Sequence, residues 1–96
     1  MRPLLHPLAA DELGEALDHY QGLSPGLGFD LIDEVERIAT LLCHTPNIGE
    51  PLTKRHRRFP LRRFPYGIIF RADDDVLTIV AIAHQRQKPN YWSKRK

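Results

Sequence analysis

Residues 76–83, Val-Leu-Thr-Ile-Val-Ala-Ile-Ala, constrain the fold more than any other stretch. They are the most apolar segment of the chain and are rich in β-branched residues, so they read as a central strand. A sheet built around that strand needs an apolar cover. The chain has 96 residues, enough for one modest core, and reads as a single domain over 1–96. The cover is legible upstream. Leu13, Ala16, Leu17 and Tyr20 recur at helical spacing, with Asp11, Glu12, Glu15 and Asp18 on the other face. Asp11 and Glu12 suit the first turn of a helix, and Gly22 is expected to end it. Ser24-Pro25 reads as the cap and first position of a second helix. Leu27, Leu31, Val35, Ile38 and Leu42 form its apolar stripe, and Asp33, Glu34, Glu36 and Arg37 are placed outside. Pro46 stops that helix.

The remaining segments read as strands. Leu4 to Leu8 is expected to be a short first strand, with Pro3 and Pro7 suiting an edge. Arg55 to Leu61, Tyr66 to Arg71 and Val76 to Ala83 follow, the last two joined by the polar turn Asp73-Asp74-Asp75. Short connections make these three antiparallel. The tail from His84 to Lys96 reads as a turn or a terminal helix. The fold class is therefore α+β: an N-terminal strand, then an α-helical hairpin packed on an antiparallel sheet. The opposite sheet face is expected to be more open and lined by basic side chains.

Charge divides the chain sharply. Residues 1–50 carry two basic and nine acidic side chains, a net −7; residues 51–96 carry twelve basic and three acidic ones, a net +9. Only the second half can attract a polyanion or an acidic protein. Within it Lys54, Arg55, Arg57, Arg58, Arg62 and Arg63 fall in ten residues without one acid. Alternation on a strand puts Arg55 and Arg57 on one face, His56 and Arg58 on the other. Arg55, Arg57, Arg58, Arg62 and Arg63 are thus candidate binding residues, and a solvated edge strand is the plainer reading of the same cations.

The tail offers His84, Arg86, Lys88, Tyr91 and Trp92. A His beside an Arg and a Tyr at a strand end can exchange protons with a ribose hydroxyl while the Arg offsets phosphorane charge. The plainer reading makes His84 a strand-end hydrogen-bonder and Trp92 a packing residue. Other chemistry is poorly supplied. Cys43 is alone, His6, His19 and His44 lack ligand spacing, and no glycine loop for phosphate exists, so no metal and no cofactor are expected. No run approaches the ~18 apolar residues of a membrane span, and residues 1–10 lack the apolar core of a signal peptide. The chain reads as cytoplasmic with no membrane partner.

Three stretches resemble one family: Phe29-Asp-Leu-Ile-Asp-Glu-Val, Phe64-Pro-Tyr-Gly-Ile-Ile-Phe, and Val80-Ala-Ile-Ala-His-Gln-Arg-Gln-Lys-Pro-Asn-Tyr-Trp. Together they resemble the RelE/ParE superfamily, the toxins of bacterial type II toxin–antitoxin modules, and look closest to the ParE-like, plasmid-stabilisation branch. The resemblance implies a toxin that binds a cognate antitoxin, by helix-in-groove or strand addition. A ParE-like member would poison DNA gyrase without catalysis. A RelE-like member would be a ribosome-dependent mRNA endoribonuclease, with His84, Arg86 and Tyr91 as its catalytic residues. The ribonuclease branch often carries an Arg directly after the tyrosine matched by Tyr66; here that position is Gly67. Gyrase poisoning is the favoured expectation. Arg55, Arg57, Arg58, Arg62, Arg63, Lys88 and Trp92 are then the residues expected to bind target or antitoxin. A plain nucleic-acid-binding module is a third reading, opposed by the acidic half of the chain.

Overall fold

A computed structural model describes residues 1–96. The elements run β1 (Arg2–Leu5), α1 (Pro7–Leu23), α2 (Leu27–His44), β2 (Glu50–Pro51), β3 (Arg57–Pro60), β4 (Tyr66–Asp73) and β5 (Val76–His84). The five strands form one sheet in the order β1-β5-β4-β3-β2. β5 is interior, as its apolar sequence requires, and the β2-β3, β3-β4 and β4-β5 pairings are antiparallel. β1 differs: it pairs parallel with β5, Arg2 opposite Val76 and Leu5 opposite Ile79. The fold is α+β, with two helices packed on a mostly antiparallel sheet.

The first strand ends earlier than its sequence implies. Pro7 opens α1 instead of closing a strand, because its fixed φ and missing N–H suit a first helical turn. His6 caps that turn, its Nδ1 accepting from the Leu8 N–H at 3.1 Å. Gly22 does not end α1, which continues to Leu23 and closes where the Ser24 N–H donates to the Tyr20 carbonyl. Ser24 is likewise not the cap of α2. Gly26, at φ +90°, turns the chain and occupies that position. The hairpin is tight because of Gly28. A Cβ there would lie 2.6 Å from the Leu17 carbonyl oxygen and 2.7 Å from a Leu17 methyl.

The main core lies between helices and sheet. Leu31, Val35, Ile38 and Leu42 of α2 and Ala9 and Ala16 of α1 meet Ile68, Phe70, Leu77, Ile79 and Ile82. Leu61 and Phe64, from the β3–β4 loop, complete it. One expected outer residue belongs inside. Glu34 is 3% exposed and accepts the backbone N–H groups of Arg62 and Arg63. That loop turns its amides inward, and a carboxylate on α2 supplies the acceptor they would otherwise lack.

The far sheet face is less open than the sequence implied. Ile69, Val80, Ala81 and Ala83 make a second small core there, closed by Trp92 at 3% exposure. The tail that carries Trp92 is a chain of turns, not a helix. A bulge sets this face. Ile69 pairs with Ala81 but Phe70 pairs with Ile79, so Val80 is the extra residue.

Candidate functional site

The tail is held by one carboxylate. Glu12 reaches from the first half of α1 past the end of β1, where β5 has lost its neighbour. It accepts the Ile82 N–H at 3.0 Å, the Tyr91 hydroxyl at 2.6 Å, and Arg95 Nη1 and Nη2 at 2.8 and 3.0 Å. Arg95 Nη1 also donates to the carbonyl of the bulge residue Val80 at 3.0 Å. The ion pair is shielded, with side-chain exposures of 12% for Arg95 and 17% for Glu12. Burial and the bond to Glu12 hold the Tyr91 hydroxyl far above its ordinary value of 10.0, and Glu12 raises Arg95 further. The sequence placed Glu12 on an outer face; the unpaired β5 edge, 70 residues away, is what draws it inward.

Beside this latch lies a cleft of about 240 Å³ between β3, the end of β5 and the tail. Ile69 and Ala83 form its floor; Leu52, Arg58, His84, Lys88, Asn90 and Tyr91 are among its walls. No carboxylate lines it. Arg58 stands opposite Ile69 and diagonal to Gly67. Its guanidinium lies over Gly67, so that a Cβ there would be 2.5 Å from Cζ and Nε. His84 sits at the rim, edge-on to Tyr66 with ring centroids 5.0 Å apart. Its Nδ1 accepts the Arg86 N–H at 3.0 Å, which leaves the ring proton of the neutral form on Nε2. Burial raises Tyr66 above its usual value, with Tyr20 and Glu15 adding to the effect.

The six-cation block does not form one surface. The strand expected from Arg55 to Leu61 is shorter, Arg57–Pro60, so Arg55 and His56 precede it; Arg55 still lies beside Arg57 and His56 against Trp92, and the neighbours separate the members of the block. Arg55 pairs with Asp73 at 3.0 Å, and Arg57 donates to the Gly49 carbonyl at 3.2 Å. Arg62 and Arg63 lie on the helix side, Arg63 3.4 Å from Asp30. Arg58 alone of the five candidate arginines enters the cleft, where Lys88 joins it. Trp92 is buried against His56, centroids 4.7 Å apart, so it packs the tail onto the sheet while lining one side of the cleft. That packing lowers His56 through desolvation, and Arg71 and Arg55 lower it further. Of the tail trio, His84 lines the cleft, Tyr91 is committed to Glu12, and Arg86 is exposed outside it.

A second concavity lies across the molecule. Pro3, Leu4 and Leu5 of β1, Leu13 of α1, and Ile32, Val35 and Ala39 of α2 line an apolar groove of about 490 Å³. Leu4 is 55% exposed and Leu8 is 47% exposed. The free edge of β1 bounds it. Arg2 donates its N–H to the Asp75 carbonyl just before β5 and His6 donates to the Ile79 carbonyl, so residues 3 and 5 face outward. Pro3 has no N–H, which leaves Leu5 as the only outward donor. The groove therefore favours an apolar helix over an added strand.

The comparisons with known proteins agree with this architecture. The family model described as ParE toxin of type II toxin-antitoxin system, parDE, matches residues 4–89. Toxin ParE2 of Mycobacterium tuberculosis, in strains CDC 1551 / Oshkosh and ATCC 25618 / H37Rv, is 31% identical over 91 residues, covering 90% of this chain and 83% of the relative. A solved chain from the chromosomal ParDE TA system of P. aeruginosa superposes with a TM-score of 0.76 at 22% identity, covering 88% of this chain and 95% of its own. That likeness establishes the fold. No helix is long and apolar enough to cross a membrane.

Proposed function

The chain belongs to the ParE toxin family of type II toxin–antitoxin systems, and on that premise we propose that it arrests growth by poisoning DNA gyrase in the cytoplasm. Membership implies a cognate antitoxin as partner. In this reading an apolar helical segment of the antitoxin fills the groove between β1 and the helix hairpin, burying Leu4, Leu5 and Ile32.

The commitment of Tyr91 to Glu12 carries the preference for a non-catalytic toxin. A proton-transfer group works best with a pKa near the operating pH. Tyr91 is shifted the opposite way, and its hydroxyl already donates to a carboxylate. Gly67 adds no cation of its own. Of the tail trio, His84 is then left in the cleft without a free Tyr91 hydroxyl or the Arg86 side chain beside it.

Induced expression of the chain in cells tests this reading. Growth arrest with a DNA-damage response, relieved by co-expressing the antitoxin, is the expected result. Arrest with cleaved mRNA and no DNA-damage response would replace it with the ribosome-dependent endoribonuclease reading.

A further inference from the structure

We propose that the cleft between β3 and the tail is a phosphate-binding site, taking a phosphate group of a nucleotide or a nucleic-acid strand, with Arg58 as its principal ligand.

The first observation is how Arg58 is held. Its guanidinium occupies the volume that a side chain at position 67 would fill. Gly67 and Ala83 are opposite one another in the β4-β5 ladder, so two adjacent positions of the sheet beside the cleft carry little or no side chain. This makes a trough in which the fork of Arg58 rests half-buried against backbone. A glycine thus admits, from the neighbouring strand, the cation that position 67 does not itself supply. Pre-positioning of this kind lowers the ordering cost of binding.

The second observation is that Arg58 has no acidic partner. Arg55 and Arg71 share Asp73, Arg63 meets Asp30, and Arg95 meets Glu12. Arg58 makes no ion pair, and the cleft it enters contains no carboxylate. Lys88 adds a second cation, and Gln85, Gln87 and Asn90 add amide donors. Gln87 spends its carbonyl on the His84 N–H. Donors arranged around a concavity, rather than in one plane, match a tetrahedral anion with several oxygens better than a planar carboxylate.

The inference concerns binding by the isolated chain and does not depend on the gyrase reading. Titrate the purified protein at low, fixed ionic strength with inorganic phosphate, then a 5′-mononucleotide, then a 12-mer single-stranded oligonucleotide, by calorimetry. Arg58→Gln and Gly67→Ala are each expected to weaken binding about tenfold or more, since both remove the charged donor from the trough. Gly67→Ala does so while leaving every charge in place. Arg37→Ala, on the acidic side of the molecule, is expected to change nothing. Melting of each variant, followed by Trp92 fluorescence, establishes that it is folded. Affinity rising steeply from mononucleotide to oligonucleotide assigns the phosphate to a strand; equal affinity assigns it to a free nucleotide. Binding retained in Arg58→Gln, no binding of any probe by the unsubstituted chain, or preference for a polyglutamate peptide over phosphate would overturn the proposal.

Discussion

Replacing Glu12 by Ala removes the acceptor of four donated hydrogen bonds at once. Arg95, 12% exposed, is left as an unpaired guanidinium, and the Ile82 amide loses its partner. Breaking a buried ion pair costs roughly 3–5 kcal/mol. Both side chains keep some contact with water, which places this pair at the low end, about 3 kcal/mol. Against a total stability of about 5–15 kcal/mol for a small domain, that is a large fraction. At ~4–8 °C per kcal/mol, melting should fall by about 12–24 °C. Trp92 is the only tryptophan and sits on the tail side of the sheet, so its fluorescence reports the latch while far-UV circular dichroism reports the helices. In Glu12→Ala, Trp92 emission should shift red before helical signal is lost. Joint replacement, Glu12→Leu with Arg95→Met, should recover only the part of the loss due to the unpaired guanidinium, since the Ile82 amide and the Tyr91 hydroxyl still lack their acceptor. A loss below about 1 kcal/mol with unshifted Trp92 emission would refute the reasoning.

Three further outcomes follow from named contacts. Gly28→Ala should destabilise by about 1–3 kcal/mol in urea melts, because the new methyl meets the Leu17 carbonyl and side chain where the helices approach. His56 is lowered in the folded state, so folding favours its neutral form; stability should decline as pH drops below 6.5, and denaturation at pH 7 and pH 5 should show a smaller decline in His56→Gln. Tyr91 is raised, so the folded chain holds its proton longer than the unfolded one. Stability should therefore fall as pH climbs past 10.0, and less steeply in Tyr91→Phe, with Tyr66 contributing in the same direction.

The residues that were legible in the sequence are those whose environment follows from periodicity. The stripe Leu31, Val35, Ile38 and Leu42 is buried as its spacing demands, and the apolar run of β5 is interior. Glu12 and Glu34 were illegible for one physical reason. Each is a carboxylate at a helical position that reads as solvent-facing, yet each is drawn inward by backbone amides 70 and 28 residues away. Those amides are left without a partner where β5 runs past the end of β1 and where a loop turns inward, features that local propensity does not announce. Arg58 is a similar case. Its proximity to Gly67 depends on the β3-β4 register, which brings together residues nine apart on different strands. Gly67 is a missing cation only by resemblance to the ribonuclease branch; the β3-β4 register brings the Arg58 cation to that position. Trp92 was read both as a binding residue and as a packing residue; in the structure it is buried against His56 and also lines the cleft.

Action on gyrase and action on RNA are separated most directly by one pair of assays. Purified, antitoxin-free protein should be titrated into a gyrase supercoiling reaction and, in parallel, into a translating extract whose mRNA is mapped. Inhibited supercoiling with intact mRNA is the expected result for the proposed gyrase poison. Cut mRNA with unimpaired supercoiling would contradict it.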